Sequence, residues 1–279
     1  MRHAALCMYF FLFFPPLLLV KTQAVALFPL NGATKGKDIS SRNNARGILG
    51  YVRTARGPDG TRDGSYQFYG RRNSYVLFPN RGGLDTKRSI TLLAWIFHQG
   101  RAGPIFNYMP NGWGVHFWMI APRTLFVRFT RRRGRRFTAA VVSRGVTPGR
   151  WQFVGASYNG RTGQAKLFVN RRFTARKYIG RIRLATNYPV RMGARIGDGR
   201  YFKGRISCMQ VYNGALSLRQ IISKKRRCFR RGKLRLPTTC PVVLFSRRGQ
   251  LRLSYTTLSG PCIDKREESY LIISESSRT

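Results

Sequence analysis

Between residues 25 and 228 the apolar positions fall in short runs rich in Val, Ile, Phe, Tyr and Trp, cut by Gly, Pro, Asn or basic residues. The clearest runs are Tyr75–Phe78, Ser89–Phe97, Val115–Ile120, Leu125–Thr130, Trp151–Tyr158, Lys166–Val169 and Arg205–Tyr212. Runs of this length and composition predict strands. In Ser89–Trp95, alternation puts Ile90, Leu92 and Ala94 on one face and Thr91, Leu93 and Trp95 on the other, so both faces are covered and the strand is central. Only one segment reads as helix: Leu216, Ile221 and Ile222, after the capping residue Ser217, give about two turns leading into Cys228. The pattern predicts an all-β domain, a two-sheet antiparallel sandwich large enough to bury a core. Trp95, Trp113, Trp118 and Trp151 are expected as core or rim packing in preference to a sugar platform. Asn170-Arg171 occupies a hairpin position without the glycine that a type I′ turn favours, which predicts a looser turn.

The two ends differ from this body. Arg2 and His3 precede an apolar run from Ala4 to Val20, and Thr22-x-Ala24 offers small residues for cleavage. This predicts a signal peptide over residues 1–24, with a secreted chain starting near Val25, in preference to a membrane anchor. The run is slightly short for a span and Pro15-Pro16 interrupts it. No later stretch is apolar enough to cross a bilayer. Beyond Cys228 the composition shifts: residues 229–279 carry Asp264, Glu267, Glu268 and Glu275, three prolines and a Ser-rich end. Val242–Phe245 and Leu251–Tyr255 are expected to form a small hairpin within this appendage.

Cys7 would leave with the signal, so Cys208, Cys228, Cys240 and Cys262 remain, an even number suited to an oxidising compartment. Four cysteines allow three pairings, of which the sequential one, Cys208 with Cys228 and Cys240 with Cys262, closes two loops of about 20 residues. Zinc is disfavoured, because there is no C-x-x-C pair and His98 and His116 lie far away in sequence.

Several segments together resemble the laminin G-like modules of the concanavalin A-like jelly roll. These are Ala26-Leu27-Phe28-Pro29-Leu30-Asn31, Ser74 to Asn80, Ser89 to Trp95, Trp151 to Tyr158, and Phe202 to Tyr212 followed by Ala215-Leu216-Ser217 and the short helix. They occur in the expected order and span most of residues 25–228. The resemblance implies a secreted binding module whose relatives recognise glycans, matrix proteins or receptors, without implying one ligand. Some such relatives hold calcium on loop Asp and Asn oxygens, which singles out Asp198 in Gly197-Asp198-Gly199. A turn role for Asp198 is the stronger expectation, since calcium needs about 6 to 8 oxygens and the domain keeps only Asp38, Asp59, Asp63, Asp85 and Asp198. No cofactor is expected.

The charge redirects the reading toward a polyanion. The chain of 279 residues carries 52 Lys+Arg against 9 Asp+Glu, a net +43, and 41 of the cations are arginine. Arginine stays charged and grips carboxylate, sulfate and phosphate in a planar fork. The same scarcity of acids argues against an enzyme. A glycosidase of this fold needs paired carboxylates, no glutamate precedes Glu267, and Asp59 with Asp63 sits in a Gly-rich turn. There is no G-x-S-x-G and no P-loop, and His98 and His116 lie in strand-like runs as packing residues.

Two runs concentrate the cations. Arg131, Arg132, Arg133, Arg135 and Arg136 surround Gly134 at an expected hairpin tip between Leu125–Phe129 and Thr138–Val142. Lys224, Lys225, Arg226, Arg227, Arg230, Arg231, Lys233 and Arg235 follow the short helix and are anchored at Cys228. Both are expected to bind acidic polysaccharide or another extracellular matrix polyanion by counterion release and bidentate contacts. Protease processing at residues 133–136 or 224–227 and a merely solvated loop are the competing readings. At the level of function class, the alternatives are a secreted cationic defence or toxin-like protein acting on anionic membranes or nucleic acid, and an inactive relative of a glycosidase. No recognition helix or stacking motif for nucleic acid is visible, and no amphipathic stretch suits membrane disruption.

Overall fold

The computed structural model describes residues 22–133, 137–229, 240–245 and 251–256. Residues 1–21 of the expected signal segment lie outside them, while its last residues, 22–24, are described and Ala24 opens the first strand; Arg135, Arg136, Arg230, Arg231, Lys233, Arg235 and Cys262 also lie outside. The chain divides into two units, Met1–Phe229 and Arg230–Thr279.

Among the described residues, fifteen strands and one helix build the first unit. In chain order they are β1 (Ala24–Phe28), β2 (Ile48–Leu49), β3 (Arg53–Ala55), β4 (Ser65–Tyr69) and β5 (Val76–Phe78). Next come β6 (Ile90–His98), β7 (Gly103–Tyr108), β8 (His116–Ala121), β9 (Thr124–Arg128) and β10 (Val141–Ser143). Then follow β11 (Trp151–Asn159), β12 (Gln164–Val169), β13 (Arg172–Tyr178), β14 (Val190–Met192), β15 (Lys203–Tyr212) and α1 (Leu218–Ser223). An eight-stranded sheet runs β13-β12-β11-β6-β15-β4-β3, with β1 also paired to β15, and a seven-stranded sheet runs β10-β9-β8-β7-β14-β5-β2. All pairings are antiparallel. The fold is the expected two-sheet sandwich.

Alternation makes the core. Ile90, Leu92, Ala94 and Ile96 of β6 point between the sheets with Val154, Ala156 and Tyr158 of β11 and Ile206, Met209 and Val211 of β15. Facing them from the other sheet are Val76, Phe78, Val190, Met192, Phe106, Tyr108, Phe117, Met119, Val127 and Phe129. Each buried side chain of this size stabilises the fold by about 1.5–3 kcal/mol before the entropy of ordering is subtracted.

β6 is central, as its two covered faces predict. Its opposite face, Leu93 and Trp95, joins Phe153, Phe168, Tyr212, Leu216 and Ile221 in a second apolar cluster on the outside of the eight-stranded sheet. That layer is closed by α1. Its cap is complete: Gln220 N donates to the Ser217 hydroxyl, and the Gln220 side chain accepts from Ser217 N at 2.8 Å. Ile221 is buried, whereas Ile222, expected on the apolar side, is exposed. The Cys208–Cys228 disulfide ties the end of this cover to β15, closing a 20-residue loop that is worth about 3 kcal/mol.

The turn between β12 and β13 corrects one expectation. It is tight and not loose, with Val169 opposite Arg172, because Asn170 takes the left-handed conformation at φ 57°. Asparagine tolerates that region. The neighbouring strand also holds it, since Phe153 N donates to the Asn170 side-chain carbonyl at 3.1 Å and Asn170 N donates to Phe153 O at 2.7 Å.

In the second unit, β16 (Cys240–Phe245) pairs with β17 (Leu251–Thr256), the expected hairpin. The proposed Cys240–Cys262 staple lies outside the described residues, because Cys262 is among those not described. Among the described residues no helix is long and apolar enough to cross a membrane.

Candidate functional site

The first arginine run is placed by its backbone. β9 and β10 pair, with Val127 opposite Val141, and the tip expected around Gly134 lies outside the described residues. The first part of the connection, through Arg133, is placed by contacts to other segments. It docks on the segment before β14: Ala185 N donates to Thr130 O at 2.9 Å and Arg132 N donates to Arg183 O at 2.8 Å. The segment before β6 joins in, as Leu184 N donates to Lys87 O at 2.8 Å. Three chain segments are thereby laced together at one end of the sandwich.

Their side chains form a cleft of about 420 Å³ lined by Lys87, Arg131, Arg132, Arg133, Arg181, Ile182 and Arg183. Arg131, Arg133, Arg181, Arg183 and Lys87 are exposed, and Ile182 is buried beneath them. Arg132 differs in role. It donates from Nε to Leu184 O at 3.1 Å and pairs through Nη2 with Asp85, whose carboxylate also accepts from the Thr186 hydroxyl at 2.7 Å. Arg132 therefore pins the loop and uses up the nearby acid. The other five cations face solvent with no salt bridge among the described residues, an arrangement in which like charges within about 8 Å repel until an anion bridges them.

The second run goes elsewhere. Lys224 caps α1, and its carbonyl accepts from Gln210 Nε2 at 3.1 Å. The Lys225 carbonyl accepts from Trp95 Nε1 at 2.9 Å, and its ammonium lies 5.0 Å from the Trp95 ring centre. This stretch covers the eight-stranded sheet, and only Arg226 and Arg227 of its described cations are exposed. None of Lys224, Lys225, Arg226 and Arg227 lines the cleft formed by the first run.

A third group was not singled out in sequence. Register places Leu77, Arg191, Asn107, His116 and Arg128 in one row across β5, β14, β7, β8 and β9. Their chain neighbours point into the core, so this row lies on the outer face of the seven-stranded sheet. Guanidiniums and rings alternate there. Arg191 lies 3.7 Å from the Tyr75 ring centre, Arg195 3.9 Å from Trp113, Arg200 4.7 Å from Trp118, and Arg128 5.4 Å from both Phe126 and Phe137. Such cation–π contacts are worth about 0.5–2 kcal/mol each.

Asp198 holds part of this group in place. Both its oxygens accept from Arg200, at 2.9 and 2.6 Å, and Arg195 lies 3.5 Å away. Hydrogen bonds from Arg200 hold the Asp198 carboxyl below its ordinary range. Asp198 also accepts from Arg200 N at 2.9 Å, the turn role expected for it. His116 is buried, and burial followed by the nearby Arg128, Arg195 and Arg200 pushes its pKa down to about 4. Its Nδ1 donates to Gly114 O at 2.7 Å, so the neutral ring keeps Nε2 as acceptor. Gly114 is fixed by crowding, since a Cβ there would meet Tyr108 Cβ at 2.8 Å. His98 is also buried, with ring nitrogens 3.0 Å from Pro122 O and 2.8 Å from Arg101 O, and burial lowers its pKa.

Alternation of Arg181-Ile182-Arg183-Leu184 was the available signal for the cleft's second wall. Nothing local signalled that it would meet residues 131–133, because the link is a long-range backbone bridge. Among the described residues no cluster of His, Cys, Asp and Glu is suited to a metal.

No curated protein matches the sequence. In structure the chain is similar to the binding domain of Paraclostridial Mosquitocidal Protein 1, with TM-score 0.60 and 15% identity over 75% of this chain and 53% of that one. It is also similar to the binding domain of botulinum neurotoxin serotype G, with TM-score 0.57 and 12% identity over 72% of this chain and 50% of that one. The chain thus spans about half the length of these solved structures, and at such identities the likeness concerns the fold. Residues 70–222, more than half of the sequence, match the family model described as the concanavalin A-like lectin/glucanases superfamily. With the two-sheet jelly-roll sandwich around them, this places the chain in the concanavalin A-like lectin/glucanase superfamily, as a laminin G-like member.

Proposed function

We propose that this protein is a secreted, non-enzymatic binding module for acidic extracellular polymers, sulfated or carboxylated glycans foremost. The observation that carries the reading is the convergence of Lys87, Arg131, Arg133, Arg181 and Arg183 on one cleft, while Asp85 is occupied by Arg132. A polymer with repeated anions bridges several of these cations at once, releases counterions and relieves their mutual repulsion. The similar structures are binding domains of toxins, which supports a binding role on this fold. The Cys208–Cys228 disulfide supports an oxidising destination. Catalysis is disfavoured by the use of four of the five carboxylates of the domain, Asp63 being the fifth: Asp38 bonds β1 and its own loop, Asp59 bonds its own loop, and Asp85 and Asp198 bond arginines.

The test is heparin affinity as a function of salt. The logarithm of affinity should fall linearly with the logarithm of salt concentration. Replacing Arg131, Arg133, Arg181 and Arg183 with Ser should flatten that slope and lower affinity by at least about tenfold at roughly 0.15 M salt. Arg132 is left intact because it anchors the loop. The fourfold Lys variant keeps the charge but loses the planar fork, so a partial loss there identifies bidentate contacts. Unchanged slope and affinity in the Ser variant would remove the cleft from the binding surface.

A further inference from the structure

At one end of the arginine–aromatic face the rings open into a pocket of about 320 Å³. Trp113, His116, Trp118, Phe126 and Phe137 line it with Arg128 and Arg200. The volume is at the lower edge of the roughly 300–1,000 Å³ usual for small-ligand sites, which suits a single ring and not a stretch of polymer.

Its charges are unequally committed. Arg195 and Arg200 share Asp198, and Arg195 Nε also donates to Gly112 O at 3.0 Å. Arg128 makes no salt bridge among the described residues, and its Nε is buried without a hydrogen-bond partner. A buried donor of this kind is costly unless an acceptor meets it. The same guanidinium sits beside Phe126 and Phe137, so its anion and the surface that packs on the rings must belong to one compact group. A nucleotide separates its phosphate from its base by a ribose, so it fits this coincidence poorly. A pyranose with a carboxylate on the ring satisfies it. The apolar faces of the sugar meet Trp113, Phe126 and Phe137, the carboxylate meets Arg128 as a charge-assisted pair, and neutral His116 supplies a hydroxyl acceptor.

We propose that the pocket between Trp113, Phe126 and Phe137 binds one carboxylated sugar ring, with its carboxylate on Arg128. This rests on the acidic-glycan reading above and adds a second, residue-specific subsite to the cleft.

The full chain is titrated with methyl β-glucuronide, methyl β-glucoside and uridine monophosphate, read by calorimetry and by the fluorescence of Trp113 and Trp118. The glucuronide should saturate one site, with the glucoside at least about tenfold weaker. Arg128→Gln should erase the difference between the two sugars. Phe137→Ala, at an exposed position that leaves the fold intact, should weaken the glucuronide by about two- to tenfold. Equal binding of the two sugars, no binding of either, or preference for uridine monophosphate overturns the proposal. The cleft variant separates the two readings: it should lose heparin and keep the glucuronide. Heparin binding lost in that variant with no glucuronide site in the parent leaves the cleft standing and removes the pocket.

Discussion

The two sheets present opposite solutions to the same problem, an outer face carrying aromatic residues. On the eight-stranded sheet, Leu93, Trp95, Phe153, Phe168 and Tyr212 are roofed by Leu216 and Ile221 and tied down by Cys208–Cys228. On the seven-stranded sheet, Trp113, Trp118, Phe126 and Tyr75 have no such roof of apolar side chains among the described residues. Arginines from β9, β14 and the loop after it lie on them instead. A guanidinium covers a ring yet keeps its edge donors available, so this face is packed without being closed. On the binding role proposed above, one outer face serves stability and the other is the one left available for recognition.

The comparison is broken most directly by truncating one ring on each face. Phe153→Ala, fully buried on the roofed face, should destabilise the protein by about 3–5 kcal/mol in urea unfolding. Phe137→Ala, 53% exposed at the pocket, should stay within about 0.5 kcal/mol while affecting ligand binding. Similar losses at both positions would mean that the open face is a second core and not a binding surface.

Acid should act on the arginine-lined face next. The pKa of His116 is about 4 in the folded chain against an ordinary 6.5, so between these values the unfolded chain binds more protons. Stability is therefore full above about pH 6.5 and is lost progressively as pH falls toward about 4, at up to ~1.4 kcal/mol per pH unit and roughly 3 kcal/mol in all. His98, also lowered by burial, adds to the loss in the same direction. His116→Gln should flatten the dependence of the urea midpoint on pH between 7 and 4; a slope unchanged by that variant would assign the acid sensitivity elsewhere.

What could be read from the sequence follows from how local each feature is. β6, β8, β11 and β15 announce themselves because long alternating or fully apolar runs have few other uses. β7 begins Gly103-Pro104 and β13 reads Arg172-Phe173-Thr174-Ala175-Arg176-Lys177-Tyr178, so a basic edge strand and a Pro-started strand were not predicted. The first arginine run was visible, but its partners Lys87, Arg181 and Arg183 come from other segments through backbone bridges that no periodicity encodes. The same holds for the row from Leu77 to Arg128. Each member looks like an ordinary strand residue, and only cross-strand register turns five separate positions into one face.

The smallest expected effect concerns calcium, and it sharpens the view of Asp198 as part of the arginine-lined face. Relatives of this fold that hold calcium need open carboxylates, whereas here both Asp198 oxygens accept from Arg200. Asp38 is buried and accepts from Leu27 N, Ser40 N, the Ser40 hydroxyl and Asn44. Asp59 is taken by Thr61, and Asp85 by Arg132 and Thr186, so of the five carboxylates only Asp63 is left, too few for a calcium ion. A calcium ion would have to displace a guanidinium from Asp198 and then find about five further oxygens beside Arg195 and Arg200, whose charge repels it. A site that weak, with a dissociation constant at least about ten times the added concentration, contributes less than ~0.1 kcal/mol. Melting curves in about 1 mM calcium and in chelator should therefore superimpose. Asp198→Asn should leave that result unchanged while loosening Arg200 from Trp118. A melting temperature that rises with calcium, and stops rising in Asp198→Asn, would instead make this corner a metal loop and remove the carboxylate from the arginine–aromatic face.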